Sequence, residues 1–319
     1  MNEHFVRRSA CPACGARAAT ELVRASYAAP PISDYLVSFY AVQGGVDFDL
    51  LEGSDYTLAE CRECGLLYQA EIPGPALSFK LYEEWIDPQK AFGLYEAPRD
   101  LAYFLSLAGE IANLIRHLGV APAGLEVLDF GMGWGSWCRA AIGLGCRAYG
   151  VELSPTRIEH AAESGVRILR WEDVPERRFD LINADQVLEH VPEPLETLRL
   201  LGRALKPAGL LKVAVPDGRD VKRNLAHGDW LAPAGSPRSL NPVAPLEHIN
   251  CFDRRALVAM ARRAGLEPEF VPERIAVLAS AGIGASWLKA AAKALLGRAG
   301  APLYRRTTSL VLRRSGDRP

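Results

Sequence analysis

Apolar residues recur along this chain in short runs separated by helix-like stretches, and the alternation begins near residue 100. Residues 100–120 have apolar side chains at spacings of three and four, with Asp100 placed as an N-cap and Gly119 near the end, which predicts one amphipathic helix. Strands are then predicted at 125–130, 147–153, 166–169, 179–184, 209–216 and 307–314. Helices are predicted at 135–145, 154–165, 194–205 and 252–265. This alternation implies a parallel sheet covered on both faces.

Several segments depart from that pattern. Residues 1–75 are rich in turn residues, and residues 76–100 are mixed in character. Residues 217–251 are rich in Gly, Pro, Asn and His and predict a long loop, which in a compact domain is usually functional or disordered. Residues 282–299 predict a further helix before the last strand.

Composition narrows the class of protein. The chain has 319 residues, enough for about two domains, and 49% of them are hydrophobic, too many for a disordered chain. The net charge of −1 argues against binding to nucleic acid by bulk charge. No apolar run approaches the length of a membrane span, and the first residues lack the apolar core of a signal peptide. We therefore expect a soluble, cytoplasmic protein without stable membrane insertion.

The near-neutral total conceals an uneven distribution of charge. Residues 1–116 contain 9 Lys and Arg against 16 Asp and Glu, whereas residues 253–319 contain 13 against 5. An acidic N-terminal third argues against RNA binding there, as does the lack of basic residues interleaved with aromatic ones. The basic C-terminal stretch predicts a solvated helix face, with contact to an anionic substrate or a membrane surface as alternatives.

A glycine-rich turn follows the first strand of the predicted sheet directly. In VLDFGMGWGSW (127–137), Gly131, Gly133 and Gly135 permit close backbone approach and positive φ. Open parallel sheets bind ligands at this carboxyl edge. About twenty residues later the next strand ends at Glu152, and a carboxylate there suits the two hydroxyls of a ribose. These features predict a nucleoside-binding site.

The glycine spacing separates the known nucleotide-binding loops. A dinucleotide loop has Gly-x-Gly-x-x-Gly, whereas this chain has Gly-x-Gly-x-Gly, with Asp129 two residues before the first glycine. There is no Gly-Lys-Ser/Thr, which excludes a phosphate-binding P-loop. The arrangement resembles the nucleoside-binding loop of class I S-adenosylmethionine-dependent methyltransferases. A glycine-rich turn with a structural acid is the alternative.

Other motifs in the expected order extend this resemblance over roughly residues 100–275. YGVELS (149–154) is similar to the second strand of that family, and Leu-Glu-His-Val (188–191) is typical of its small-molecule branch. The resemblance implies S-adenosyl-L-methionine as cofactor, with Glu152 on the ribose. The implied cofactor-binding residues include two acidic candidates for the adenine amine and an aromatic residue for its ring: Asp129, Gly131, Met132, Gly133, Gly135, Glu152, Leu153, Trp171, Glu172, Asp173, Asn183 and Gln186.

Four of the seven cysteines form two Cys-x-x-Cys-Gly units with the spacing of zinc knuckles: Cys11, Cys14, Cys61 and Cys64. Four thiolates make a closed tetrahedral site, so they predict a structural Zn²⁺ that stabilises a small lobe and takes no part in chemistry. Four unrelated buried thiols and a redox pair are the alternatives. The other three cysteines are expected to be packing residues: Cys138, Cys146 and Cys251.

Together these features predict an α/β fold: a Rossmann-like, seven-stranded, mostly parallel sheet with helices on both faces, preceded by a small zinc-binding lobe. The predicted zinc-binding lobe is 1–75, and 76–120 is a linker with a lead-in helix. The methyltransferase domain is 121–319, with a substrate loop at 217–251 and a helical insertion at 282–306.

Methyl transfer mainly requires that a nucleophile be held in line with the activated methyl group, and a hydroxyl or enolisable carbon also needs a base. His190, after the fourth strand, and His248, after the long loop, are the predicted catalytic candidates. The alternatives are a helix-start residue that contacts backbone for His190 and a loop anchor for His248.

The predicted substrate is a small molecule that accepts methyl on carbon or oxygen. A lobe with Cys-x-x-Cys pairs before such a domain resembles the sugar C-methyltransferases of deoxysugar biosynthesis, which implies a keto-sugar carried on a nucleotide. Those chains have a further C-terminal domain, so a natural-product intermediate stays open as acceptor. A zinc-containing RNA methyltransferase and a catalytically inactive cofactor-binding protein are the competing interpretations.

Overall fold

A computed structural model describes residues 2–272 and 307–317. The helix predicted at 282–299 and the insertion predicted at 282–306 lie outside these residues. Within the two described stretches, no helix is both long and apolar enough to cross a membrane.

The N-terminal part contains two small antiparallel sheets and short helices. Its strands are β1 (Phe5–Arg7), β2 (Ala19–Ser26), β3 (Asp55–Cys61), β4 (Leu67–Gln69) and β5 (Glu71–Pro73). Its helices are α1 (Ile32–Tyr40), α2 (Pro75–Lys80) and α3 (Pro88–Ala91), with π-helical turns at Leu81–Trp85 and Phe92–Glu96. β1 pairs with β5, and β3 pairs with both β2 and β4.

The remaining chain forms the large sheet and its helices. The strands are β6 (Glu126–Phe130), β7 (Arg147–Val151), β8 (Arg167–Ile168), β9 (Phe179–Asp185), β10 (Leu205–Pro216), β11 (Asn250–Cys251), β12 (Leu266–Pro268) and β13 (Thr307–Arg314). The helices are α4 (Leu101–Leu118), α5 (Ser136–Gly143), α6 (Pro155–Glu163), α7 (Pro194–Arg203), α8 (Val221–Leu225) and α9 (Arg254–Arg263).

Helix α4 shows why the local prediction held. The Asp100 side chain accepts a hydrogen bond from the Tyr103 N–H at 2.9 Å, which satisfies a free donor of the first turn. Gly119 ends the helix in the left-handed conformation, at φ +69°. The predicted helix over 100–120 is therefore confirmed, with its cap residues in the expected places.

The large sheet has the strand order β12-β13-β10-β9-β6-β7-β8. The pairs from β10 to β8 are all parallel, and β13 runs antiparallel to both of its neighbours. This confirms the predicted seven-stranded, mostly parallel sheet. The chain proceeds from β6 to β7 and β8 on one side and returns to β9 on the other. The carboxyl ends of β6 and β9 therefore flank the point where such sheets bind ligands.

Helices cover both faces of this sheet, as predicted. Val127, Leu181 and Leu210 belong to the core under α4, α5 and α6. Their neighbours one position along each strand belong to the core under α7 and α9: Leu128, Ile182 and Leu211. Two buried faces explain why these strands are continuously apolar rather than alternating.

Residues 217–251 are mostly irregular, as their composition predicted, but they also contain short elements. These are α8, a 3₁₀ turn at Asn241–Val243 and β11, which pairs with β4 to make the sheet β11-β4-β3-β2. Trp230, Leu240 and Val243 are buried in the same core as the N-terminal helices and strands. The segment therefore folds against the first 91 residues, a partnership that local sequence does not encode.

Candidate active site and four-cysteine centre

The glycine-rich turn joins β6 to α5. The N–H groups of Gly131 and Met132 both donate to the Val151 carbonyl oxygen at 2.9 Å, which ties the turn to the end of β7. A Cβ on Gly131 would lie 2.5 Å from a Val187 methyl carbon, so no side chain fits there. A Cβ on Gly133 would meet no atom within 4 Å. The turn is packed on one side and open on the other, as expected for a loop that receives a ligand.

Glu152 lies beside this turn, immediately after β7. One carboxylate oxygen accepts from the Gly133 N–H at 2.9 Å. The other accepts from the N–H groups of Leu153 and Ser154 at 2.8 and 3.1 Å. A carboxylate offers about four lone-pair positions, so acceptor capacity remains for a hydroxyl pair. The structure thus brings together the glycines and the acid that the sequence assigned to one nucleoside.

Asp129 and Asn183 face each other on the adjacent strands β6 and β9. They are register partners, and the Asn183 amide nitrogen donates to the Asp129 carboxylate at 2.7 Å. Burial raises the pKa of Asp129 to about 7. The buried Asn183 side-chain oxygen has no hydrogen-bond partner among residues 2–272 and 307–317. An unpaired buried acceptor beneath the turn is a polar position that a ligand or water can satisfy.

The residues predicted for the adenine lie beyond β8. Trp171 is half-buried, and its ring centroid is 4.4 Å from that of Phe130 at the end of β6. Asp173 is held by Arg170 through two hydrogen bonds of 2.8 and 2.9 Å, which lower the pKa of that carboxyl. Glu172 is exposed. Arg170 thus forms its ion pair with Asp173 and not with Glu172.

Three other residues predicted to contact the cofactor differ in exposure and backbone conformation. The Met132 side chain packs over Gly150 in the core, so only its backbone lies at the turn. Leu153 is 79% exposed beside Glu152. Gln186 follows β9 with φ +57°, an uncommon conformation for a residue other than glycine. Such strain is often found at functional sites.

The two candidate catalytic histidines meet, although they are 58 positions apart in the sequence. Their ring centroids are 4.8 Å apart. His190 Nδ1 lies 3.0 Å from both the Tyr82 hydroxyl and the Glu247 carbonyl oxygen. His248 Nδ1 contacts the Asn241 carbonyl oxygen. Burial lowers the pKa of His190 to about 3 and that of His248 to about 4, so both rings are neutral near pH 7.

Two buried carboxyls accompany the histidines. Glu247 accepts a hydrogen bond from the Tyr40 hydroxyl at 2.8 Å, and burial raises its pKa to about 7. Glu189 is 1% exposed, and burial raises its pKa well above the usual range. The sequence analysis assigned neither carboxyl a role. It missed Tyr40 and Tyr82, which have no motif around them.

The four paired cysteines converge at the N-terminal end of the chain. Cys11 and Cys64 sulfurs are 3.6 Å apart, and those of Cys14 and Cys61 are 3.5 Å apart. All four lie within 4.8 Å of one another. Zinc–sulfur bonds of about 2.3 Å in a tetrahedron place sulfurs roughly 3.8 Å apart, so the four thiols fit that ion.

The two cysteine turns are built alike. In each, the N–H of the first cysteine donates to the carbonyl oxygen of the residue five positions on, Ala16 or Leu66. In each, the glycine N–H donates back to the first cysteine's carbonyl oxygen, with φ +76° at Gly15 and at Gly65. The repeated Cys-x-x-Cys-Gly unit thus forms the same knuckle twice.

Arg8 links this centre to the histidine segments. Its guanidinium donates to the Ile249 carbonyl at 3.0 Å, to the Asn250 side chain at 2.9 Å and to the Pro192 carbonyl at 2.9 Å. Asn250 in turn donates to the carbonyl oxygens of Leu188 and Val191, both at 2.8 Å. Arg8 and Asn250 together therefore hold backbone on both sides of His190 and at the residue after His248. No sequence motif marks either residue.

A family model described as a methyltransferase domain matches residues 100–269, which is more than half of the chain. The chain belongs to this methyltransferase family, as its motifs predicted.

Two of its relatives are ubiquinone biosynthesis O-methyltransferases. The one from Xanthomonas axonopodis pv. citri (strain 306) is 30% identical over 166 residues, which are 47% of this chain and 66% of the relative. The one from Chelativorans sp. (strain BNC1) is 33% identical over 152 residues, which are 42% and 58% of the two chains. The matched region thus spans less than two thirds of these relatives. Among solved structures, the mitomycin 7-O-methyltransferase shows 19% identity and a TM-score of 0.48, over 91% of this chain and 70% of that one.

Proposed function

We propose that this chain transfers the methyl group of S-adenosylmethionine to a small molecule. The observation that carries the proposal is the turn between β6 and α5, which is open at Gly133 and has the Glu152 carboxylate beside it. Family membership supports the same reaction.

In this proposal the cofactor lies along the carboxyl edge of the sheet. Glu152 accepts the ribose hydroxyls, and Gly131, Gly133 and Gly135 let the backbone approach the nucleoside. Glu172 or Asp173 accepts from the adenine amine, with Trp171 against the ring. Asp129, Asn183 and Gln186 lie toward the methionine end, since they stand at the ends of β6 and β9. When bound, the cofactor supplies an activated methyl group, and the chain's task is to position the acceptor.

We place the acceptor beside His190 and His248. Both Nδ1 atoms face carbonyl oxygens, which can only accept, so Nδ1 carries the proton in each neutral ring. The Nε2 lone pair is then free to accept the proton of a hydroxyl acceptor. The contacts of the two Nδ1 atoms with backbone carbonyl oxygens anchor the histidines, and the same contacts place the proton on Nδ1 and leave Nε2 unprotonated.

Oxygen is the acceptor atom that we favour, because the relatives' names specify O-methylation. A sugar, nucleotide-linked or not, and a natural-product intermediate are the acceptor classes to be tested. Incubation with methyl-labelled cofactor and panels of phenols, hydroxy acids and nucleotide keto-sugars would distinguish them. The carbon shift of the transferred methyl group in the product identifies an oxygen-bound or a carbon-bound methyl. Labelling of RNA alone would overturn the small-molecule assignment.

Cofactor binding has a direct test. Calorimetry with S-adenosylhomocysteine should show one site per chain, lost in Glu152→Ala and in Gly133→Leu, because one variant removes the ribose acceptor and the other fills the open side of the turn. Glu163→Ala, an exposed carboxylate at the end of α6, serves as the matched control and should bind normally. Equal affinity in all four proteins would contradict the site.

We also propose that the four cysteines hold one structural Zn²⁺ per chain. The sulfur separations and the duplicated knuckles support it. Metal analysis should give one zinc per chain, and its removal by a thiol-reactive reagent should unfold the N-terminal part, which has few other means to order these turns. A protein that is metal-free and fully folded would contradict the zinc assignment.

A further inference from the structure

Glu189 is a buried carboxyl that lacks a hydrogen-bond donor in the described part of the chain. It is 1% exposed, and no other described residue donates a hydrogen bond to either carboxylate oxygen. Leaving a buried polar group unpaired typically costs about 1–3 kcal/mol, and more when the group is charged. Glu189 faces the His190 ring, with 3.9 Å between a carboxylate oxygen and Nε2, which is too long for a hydrogen bond. A group outside the described residues, or a proton, must therefore satisfy this carboxyl.

The two histidines complete a set of donor atoms around that position. One atom each from Glu189, His190 and His248 lie within 4.8 Å of one another. Two ligands on one ion, each about 2.1 Å from it, are at most about 4.2 Å apart. The separation of 3.9 Å already satisfies this limit, and small side-chain rotations bring the third atom within it.

The surroundings of the histidines match those of metal ligands. A metal-binding histidine usually donates its second ring N–H to a carbonyl or carboxylate, which fixes the tautomer and the ring orientation. Here both rings do so, His190 to the Glu247 carbonyl oxygen and His248 to that of Asn241. The Tyr82 hydroxyl additionally contacts His190 Nδ1. Both Nε2 atoms are left as unprotonated donors.

We propose that Glu189, His190 and His248 bind a divalent transition-metal ion. Two imidazoles and one carboxylate form the donor set of catalytic zinc sites and of non-haem iron sites, whereas Mg²⁺ and Ca²⁺ favour sites built from oxygen alone. Three protein ligands leave coordination positions open. The His190 side chain is 25% exposed, so one side of the cluster is accessible. This centre is separate from the four cysteines, which occupy a closed tetrahedron.

Two charged groups act on the cluster from neighbouring elements. The Asp185 carboxylate at the end of β9 adds negative charge next to Glu189, and the Arg157 guanidinium on α6 adds positive charge on the side of His190. Asp185 is itself paired with the Lys212 ammonium at 3.0 Å, so the negative charge that favours a cation here is that of Glu189. If the proposed function holds, the open coordination positions face the acceptor, and the ion binds its oxygen atom. Both Nε2 lone pairs are then taken by the ion, which lowers the pKa of the acceptor hydroxyl so that its proton passes to water rather than to a histidine. That role rests on the proposed function, whereas metal binding itself does not.

The test uses Mn²⁺ and the full chain with its cysteine-bound zinc retained. Mn²⁺ prefers oxygen and nitrogen donors to thiolates, so it leaves the cysteine centre alone. Bound Mn²⁺ loses the electron paramagnetic resonance signal of the free ion. A titration followed by this signal should show one Mn²⁺ site per chain. Glu189→Gln and His248→Gln should bind about 100-fold more weakly or not at all, since even outer-shell partners of metal ligands typically contribute 10–100-fold. His227→Gln, an exposed histidine outside the cluster, should bind like the parent chain.

A second titration uses Co²⁺, whose visible absorption reports binding. It detects the site if the site binds Co²⁺ but not Mn²⁺. Absence of binding with both ions, or equal binding in Glu189→Gln and the parent chain, would overturn the proposal. Circular dichroism melting of each variant shows whether it has folded. S-adenosylhomocysteine binding without any metal binding would refute the metal site and leave the proposed function intact. Metal binding without cofactor binding would refute the proposed function alone.

Discussion

Arg8 provides the sharpest test of how the histidine segments are held. Its guanidinium donates to the carbonyl oxygens of Pro192 and Ile249 and to the Asn250 side chain, which lie on segments far apart in sequence. Burial lowers the pKa of Arg8 to about 10, so the side chain stays charged at neutral pH. Replacement by methionine keeps most of the apolar stem and removes all three donors.

The expected loss follows from these contacts. Hydrogen bonds from a charged group contribute about 1.5–3 kcal/mol each, and the bond to Pro192 is solvent-exposed and contributes least. Counting only the two part-buried bonds, we expect Arg8→Met to lower the free energy of unfolding by about 3–6 kcal/mol. We also expect faster local opening of β11, since the Asn250 side chain loses its anchor.

Urea denaturation measures the first effect, and amide hydrogen exchange followed by mass spectrometry measures the second. Exchange should rise in peptides that cover 188–192 and 249–252, where the Asn250 N–H donates to the Glu189 carbonyl oxygen at 3.0 Å. Arg7→Met is the matched control, because Arg7 is the exposed neighbour on β1. If the two variants are equally stable and exchange alike, Arg8 does not hold these segments and the reasoning is wrong.

Three further predictions concern single residues. Gly131 and Gly133 both have positive φ, so replacement by alanine should lower the free energy of unfolding by about 1–2 kcal/mol at either position. Gly131→Ala should lose about 1–3 kcal/mol more in urea denaturation, because its Cβ would overlap the buried Val187 side chain. Equal losses in the two variants would refute the packing argument. Burial raises the Asp129 pKa from 3.8 to about 7, so its contribution is present near pH 4 and is lost as pH rises through 7. The stability of Asp129→Asn relative to the parent chain should therefore rise between pH 5 and 8, and a flat difference would contradict the buried carboxyl. Tyr40→Phe should destabilise the chain by about 1–3 kcal/mol, since it leaves the Glu247 carboxyl buried without its donor; a change below about 0.5 kcal/mol in thermal or urea unfolding would show that the bond is dispensable.

Much of the large sheet was predictable because its elements are locally encoded. Apart from the helix at 282–299, which lies outside the described residues, the predicted strands and helices from residue 100 onward correspond to β6–β10, β13 and the helices α4–α7 and α9. Each has an apolar run or a helical spacing, often with a capping residue such as Asp100. β12 has three residues and β11 has two, too few for a pattern, and neither was predicted. Their existence depends on the strands they pair with.

The candidate site also has one part that was predictable from local sequence and one part that was not. The glycine turn and Glu152 are about twenty residues apart on consecutive strands, so a local motif was enough to bring them together. Glu189 and Glu247 stand next to the two histidines in sequence, yet only the folded chain shows that one is unpaired and the other is bonded to Tyr40. The burial of a side chain and its hydrogen-bond partners depend on tertiary packing, so they cannot be inferred from the sequence pattern alone.

The sequence by itself determined the family, the mostly parallel sheet, the cofactor-loop candidates and the pairing of cysteines into two knuckles, because each of these follows from spacing within about thirty residues. The tertiary structure alone decided that 217–251 folds onto the N-terminal strands and that His190 meets His248 above Glu189. It also decided that Arg8 joins the cysteine centre to both histidine segments. The contacts between these segments link residues from 58 to 241 positions apart, and such pairings are set by the packing of whole elements rather than by any local preference of the chain.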